Sequence, residues 1–263
     1  PQLDAGSTVE YAGYNVTEEI TIKDFGATDY YHLIINDVNA NYATFILGDN
    51  LAVNGDLTVT DGVFQKTGSY NLSVAGSVTI GSAGAIASSG AGTFTVAGNW
   101  SKSGAFTHNN GTVTFNGPQT ATISGDTAFY NFTCATAGKM LKFTAGSTQT
   151  ISGAWTLTGT AANPVFIAST TSGTRWKVDP QNARVITYTD VKDSDNINAT
   201  NIAAGTGCLN SGNNLKWTFG ANPSFTWIAA GAGNWTTGAN WQGGIAPGPG
   251  DTAIFSAASI QNC

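Results

Sequence analysis

A short phrase returns along this chain at intervals that match one turn of a β-solenoid: apolar residue, any residue, glycine, any residue, apolar residue. It reads Val53-Asn54-Gly55-Asp56-Leu57, Val74-Ala75-Gly76-Ser77-Val78 and Val96-Ala97-Gly98-Asn99-Trp100, and returns as Ile123-Ser124-Gly125 and Ile151-Ser152-Gly153-Ala154-Trp155. Its glycines step by 21, 22, 27 and 28 residues. Internal periods of this size belong to stacked architectures. A unit so short cannot bury its own apolar face, so each turn needs a neighbour above and below, and the product is an elongated body. That points to a structural or adhesive role before any site is considered.

Between these phrases lie short strands that alternate or run apolar, such as those around Leu57 to Val59, Leu72 to Val74, Val78 to Ile80 and Phe94 to Val96, each bounded by Gly, Asp, Asn or Ser. No segment carries a helical period. Alternation sends side chains into a narrow lumen and outward by turns, and flanking glycines take the sharp corners. The expected fold is all-β: a right-handed parallel β-helix with coils of about 20–28 residues, each strand pairing with its equivalent one repeat later. A longer echo overlies this period. Thr8-Val9-Glu10-Tyr11-Ala12-Gly13 is matched by Thr112-Val113-Thr114-Phe115-Asn116-Gly117, and Tyr30-Tyr31-His32-Leu33-Ile34 by Phe129-Tyr130-Asn131-Phe132-Thr133, at offsets of 104 and about 99 residues. Because that is close to five turns of about 21 residues, the aromatic phrase is expected to mark equivalent turns and to pack in the core.

Charge excludes some partners. The net charge is −6 with ten Lys plus Arg and no basic cluster, whereas nucleic acid and anionic membrane surfaces both demand a cationic footprint. No apolar run approaches the ~20 residues that cross a bilayer. The sequence opens at Pro1 without a starting Met or a signal-like stretch, from which we expect a preceding segment to have been removed. Low charge, many Gly, Thr, Ser and Asn residues and recurrent β-branched runs fit a secreted protein.

Chemistry has few candidates. Asp190, Asp193 and Asp195 with Lys192 form the only dense acidic cluster, but the spacing lacks the Gly and distal Glu of an EF-hand, and strand-end Asp residues serve as turn formers. His32 and His108 have no nucleophile motif beside them and are expected to be structural. No phosphate loop, dinucleotide fingerprint or zinc-type pairing occurs. No cofactor, metal or catalytic residue is therefore assigned. Asn-x-Ser/Thr sequons, among them Asn15, Asn71, Asn99, Asn131, Asn198 and Asn234, occur at a frequency that composition alone explains. Cys134, Cys208 and Cys263 leave three arrangements open: free thiols, an intramolecular disulfide involving Cys208, or an intermolecular bond from Cys263. Cys134 and Cys208 lie 74 residues apart, three or four turns of ~4.8 Å, too far to bridge without a loop folding back.

Two resemblances extend this picture. Tyr188-Thr189-Asp190-Val191-Lys192-Asp193-Ser194-Asp195, then Gly212-Asn213-Asn214 and Trp217, following repeated Ile-Ser-Gly and Leu-Thr-Gly turns, resembles modules of large bacterial surface proteins of the filamentous-haemagglutinin-like or adhesin-like kind. The likeness spans roughly residues 7 to 219 and implies a β-helix with a Trp-containing phrase near the module's end. Farther on, Trp227, Gly233-Asn234-Trp235, Asn240-Trp241, Gly243-Gly244, Pro247, Gly250-Asp251 and Ala253-Ile254-Phe255 look like the opening phrase of autotransporter-like passenger repeats. The domain reading is thus a solenoid module over 1–220, then a linker at 221–224 and a Trp-rich segment to 263. Trp227, Trp235, Trp241 and Phe255 are the candidates for capping the solenoid, docking another subunit or starting a next module; a sugar-stacking role for the three tryptophans is the competing reading. The expected function is a non-enzymatic extracellular stalk, adhesin segment or filament subunit that self-associates end to end, with a surface glycan or receptor as a further partner. The alternative is a polysaccharide-binding or polysaccharide-cleaving β-helix, marked by a flank cleft carrying two or more carboxylates beside Lys or Arg.

Overall fold

A computed structural model describes residues 4–13, 19–25, 30–37, 43–220, 224–244, 246–247 and 252–256. The chain winds into a parallel β-solenoid of about nine turns with essentially no helix. Each full turn lays one short strand on each of three faces. The first face is a continuous ladder from Thr8–Ala12 and His32–Asn36 through Trp100–Lys102 and Ala121–Ser124 to Thr189–Val191 and Leu209–Asn210. The third face runs from Leu51–Val53 through Phe94–Val96 and Thr112–Phe115 to Arg184–Thr187. On the second face one ladder carries Glu19–Ile22, Thr44–Leu47, the far halves of Leu57–Gln65 and Val78–Ala87, and Ala105–Thr107; a separate ladder then carries Thr127–Phe129, Thr148–Ile151, Trp176–Pro180 and Ser194–Asn196.

In-register stacking puts like on like. On the first face Val9, Leu33, Leu57, Val78, Trp100, Ile123 and Phe143 form one column, and on the third Leu51, Leu72, Phe94, Val113, Phe132 and Trp155 form another. From Leu33 onward every member of these columns is buried, while Val9 in the first turn is half-buried. Each buried side chain of this size stabilises by about 1.5–3 kcal/mol. Between them, outward positions are polar, as in the row Ser73, Thr95, Thr114, Thr133 and Thr156. At the corners, side chains of one coil accept backbone N–H groups of the next: Asp56 Oδ1 from Ser77, Ser77 Oγ from Asn99, Asn99 Oδ1 from Thr122, at 2.7, 3.1 and 2.8 Å. These bonds pair the backbone donors that a turn takes out of the strand ladder.

The glycine phrases mark three different corners. Gly55, Gly76 and Gly98 stack between the third and first faces; the Gly98 amide donates to the Gly76 carbonyl and the Gly76 amide to the Gly55 carbonyl, both at 2.8 Å, and the Gly55 amide donates to the Tyr31 carbonyl at 2.6 Å. A Cβ on Gly98 would lie 2.7 Å from the Gly76 carbonyl, and one on Gly76 would lie 2.5 Å from the Gly55 oxygen, so the close approach of backbones demands glycine here. Gly125 instead follows a first-face strand, with φ +81 and the Lys102 carbonyl against it, and Gly153 follows a second-face strand and donates to Tyr130 O at 2.8 Å. The steps of 27 and 28 residues are therefore one coil plus a slip to the next corner. True coil steps run from 15 residues, Ile202 to Trp217, to 29, Trp155 to Arg184.

The long echo does not mark equivalent turns. Thr8–Ala12 lies on the first face and Thr112–Phe115 on the third. What repeats is the local pairing: Thr8 faces His32 and Thr112 faces Asn131, so each phrase meets its aromatic partner phrase in the same register on adjacent coils. Unequal coils accumulate a phase error over about four turns. The aromatic side chains Tyr30, Phe129 and Phe132 are buried in the core, as expected.

Gly76→Ala and Gly98→Ala are each expected to lower unfolding free energy by about 1–3 kcal/mol in denaturant titrations. Gly220→Ala, whose Cβ meets nothing within 4 Å, should change it by less than about 0.5 kcal/mol.

Candidate functional site

The acidic cluster does not converge. Asp190 sits on the first face in Thr189–Val191, Asp193 at the following corner with φ 53, and Asp195 on the second face beside Lys177. Asp193 is buried and accepts the Asn213 side-chain amide at 2.6 Å. Asp190 is also buried, and its Oδ1 has no partner. Burial pushes its carboxyl above the ordinary range, against weaker help from Ser211 and Lys192. Among the described residues no three His, Cys, Asp or Glu side chains are grouped to hold a metal. The histidines serve turns: His32 Nδ1 accepts the Asp56 amide at 3.0 Å, and His108 Nδ1 accepts that of Asn110 at 3.1 Å.

Cys134 and Cys208 are buried free thiols and form no disulfide with each other. Each side chain is fixed on its own coil, Cys134 in the third-face ladder and Cys208 against the Ile186 carbonyl at 3.3 Å. Burial raises both thiol pKa values, which disfavours the reactive thiolate. Cys263 lies outside the described residues.

Two buried lysines were not singled out by the sequence. Lys139 is 0% exposed, and its ammonium donates to the carbonyls of Ala97, Gly117 and Gln119 at 3.0, 3.1 and 3.0 Å. Lys66 is equally enclosed and donates to Ser89 Oγ at 2.9 Å and to the Ala91 carbonyl. Burial lowers both pKa values, while three carbonyls around Lys139 favour its charged form. The side chains act as axial staples across coils; Ala137-Gly138-Lys139-Met140 looks like any other turn in sequence.

The four aromatic residues of the tail do come together. Trp227 and Trp241 cross edge to face at 5.0 Å, Trp235 meets Trp241 at 4.9 Å, and Phe255 lies within 6.2 Å of all three. Trp241 Nε1 donates to the Trp235 carbonyl at 2.8 Å. Trp227 and Trp241 are buried, whereas Trp235 and Phe255 are 46% and 38% exposed. This cluster stands apart from the solenoid core, and the side chains at that end of the core are Trp217 and Phe219. The tail's strands pair with each other: Ser224–Thr226 runs parallel to Thr252–Ile254, with Ser224 opposite Thr252. That separation is one coil. Residues 221–223 of the expected linker lie outside the described residues.

The flank of the solenoid carries an opening of about 610 Å³ where the second-face ladder breaks. It holds Lys102 but a single carboxylate, Asp126, short of the paired acids that hydrolysis or metal-assisted lyase chemistry uses. No family model, curated protein or solved structure matches this chain.

Lys139→Met should cost about 3 kcal/mol or more in unfolding free energy, because it strands three buried carbonyls. Asp190 has a raised folded-state pKa, so its stabilising contribution is present below its unfolded pKa, ~3.9, and is lost as pH rises through the folded value. Asp190→Asn is accordingly expected to raise the melting temperature at pH 7 and leave it unchanged near pH 3, as calorimetric scans at the two pH values would register.

Proposed function

We propose that this chain is a non-enzymatic structural segment of a bacterial extracellular or cell-surface protein, a β-solenoid stalk or filament subunit that continues end to end. The observation that carries this reading is the parallel pairing of Ser224–Thr226 with Thr252–Ile254. Beyond the nine-turn body, these two strands, one coil length apart, pair with each other around an aromatic cluster of their own, which we read as the start of another coil. A parallel coil is open-ended by construction, since its outer edge offers the next coil the same hydrogen-bonding row that it took from the last. Where the contact is head to tail and does not close, repetition builds a filament.

Three features support the proposal. Exposed apolar side chains gather in the extra coil: Ile228 at 56%, Trp235 at 46% and Ile254 at 43%. The first coil leaves Val9, Tyr11 and Ile20 half-buried. The long sides, by contrast, carry hydroxyl rows and stitched corners. The resemblance to haemagglutinin-like and passenger-repeat modules points the same way. In this reading Trp227 and Trp241 hold the extra coil together, and Trp235 and Phe255 meet the neighbour.

The expected result is that purified protein forms rods whose length grows with concentration in electron micrographs and light scattering. Deleting 225–263 should abolish rods while preserving the β-sheet circular dichroism spectrum. A strictly monomeric particle at every concentration, or rods that persist after the deletion, would overturn the proposal.

A further inference from the structure

Three Asn-Gly pairs occur in the chain, Asn54-Gly55, Asn110-Gly111 and Asn116-Gly117. Such a pair is reactive in its own right. Once the glycine N–H gives up its proton to base, the nitrogen can attack the asparagine side-chain carbonyl and close a cyclic imide, and glycine, having no Cβ, hinders that approach least. All three pairs lie at corners between strands, so sequence alone does not rank them.

The main-chain hydrogen bonds do. Gly55 is buried and its amide donates to the Tyr31 carbonyl at 2.6 Å, and Gly111 is buried and its amide donates to the His108 carbonyl at 2.8 Å. Each of those protons is held by a carbonyl, and breaking that bond is part of the barrier to reaction. At the third corner it is the residue before that is anchored: the main-chain N–H of Asn116 donates to the Val96 carbonyl at 3.0 Å, while among the described residues neither the Gly117 amide nor the Asn116 side chain has a partner. Asn116 and Gly117 are half-buried and Pro118-Gln119-Thr120 after them are exposed, so water and hydroxide reach the corner. Gly117 has φ +75, and a Cβ there would lie 2.7 Å from the Ala97 methyl, so the position requires a glycine and the nitrogen stays uncrowded.

A buried charge adds to this. The Lys139 ammonium donates to the Gly117 carbonyl at 3.1 Å, and to those of Ala97 and Gln119 at 3.0 Å. A cation held against a residue favours the anion that its amide becomes on losing a proton. The corner therefore combines an uncommitted nucleophile, a free side-chain amide and a nearby positive charge.

We propose that Asn116 is a site of spontaneous deamidation in the folded protein. Gly117 N, having lost its proton to hydroxide, bonds to Asn116 Cγ; the bond from Cγ to Nδ2 breaks, and ammonia leaves with a proton drawn from water. Water then opens the cyclic imide at either carbonyl, giving aspartate or, where the main chain is rerouted through the side chain, isoaspartate. Either product adds one negative charge to the net −6. The isoaspartyl product also lengthens the main chain at the corner whose Gly117 and Gln119 carbonyls hold Lys139, so the reaction strikes the staple that ties these coils together. The site is independent of end-to-end assembly.

The test is incubation of the full chain at mildly alkaline pH in heavy-oxygen water, folded and, in parallel, unfolded in urea, followed by peptide mass spectrometry with fragmentation that places each new acid. In the folded protein Asn116 should convert at least about tenfold faster than Asn54 or Asn110, the factor that about 1.4 kcal/mol, one net hydrogen bond, makes in a rate. Both aspartyl and isoaspartyl peptides should appear. In urea the three pairs should react at comparable rates. In Asn116→Gln, whose longer side chain closes a larger ring slowly, the early acidic species on ion exchange should vanish. Conversion of Asn54 or Asn110 as fast as Asn116 in the folded protein, no Asn116 product while the urea sample reacts, the same preference for Asn116 in urea, an aspartyl product alone, or acidic species undiminished in Asn116→Gln would each overturn the proposal.

Discussion

The in-register parallel ladder between one coil and the next is the constraint from which the rest of this structure follows. A parallel strand cannot be reached by a tight hairpin, so the chain must travel a full circuit before it pairs again. Here that circuit has three straight sides and three corners. Once pairing is in register, side chains of one kind stack on their own kind: apolar columns within, hydroxyl rows without, and Asp, Ser and Asn at corners capping the coil that follows. Gly55, Gly76 and Gly98 serve the same ladder, because backbones approach there too closely for any Cβ.

Departures from that regularity are where the molecule acquires individual features. Trp100 is the largest side chain in a column otherwise built of Val, Leu, Ile and Phe, and its ring of aromatic neighbours lies beneath the opening in the second face. Lys139 reaches across coils to three carbonyls that the ladder leaves over, turning a buried charge into a staple. Asp190 is the opposite case, a buried carboxyl with one oxygen unanswered, and it is a cost to stability rather than a hidden ligand. In each case the local ledger of donors and acceptors, not residue type alone, decides the role.

The tail shows how the ladder bears on function. Its tryptophans pack with Phe255 in a cluster of their own, while Trp217 and Phe219 lie against the end of the main core. A segment whose two strands pair in parallel one coil length apart moves interest from the smooth faces to the coil edges.

Much of this was legible in the chain itself. The recurring glycine phrase, the strand-length alternation and the absence of a helical period determined an all-β stack with coils near the observed length, because burial of a two-residue period admits little else. The aromatic phrases were recognisable as core, and Trp227, Trp235, Trp241 and Phe255 as one constellation. Tertiary structure alone decided the phase. Identical phrases at Gly98, Gly125 and Gly153 fall on three different corners, and the echo of residues 8–13 falls on another face, because coils of unequal length shift every later residue around the axis. It also decided which side chains face a carbonyl cage, an orphaned oxygen or an opening, since those depend on partners some twenty residues away in sequence and one coil away in space.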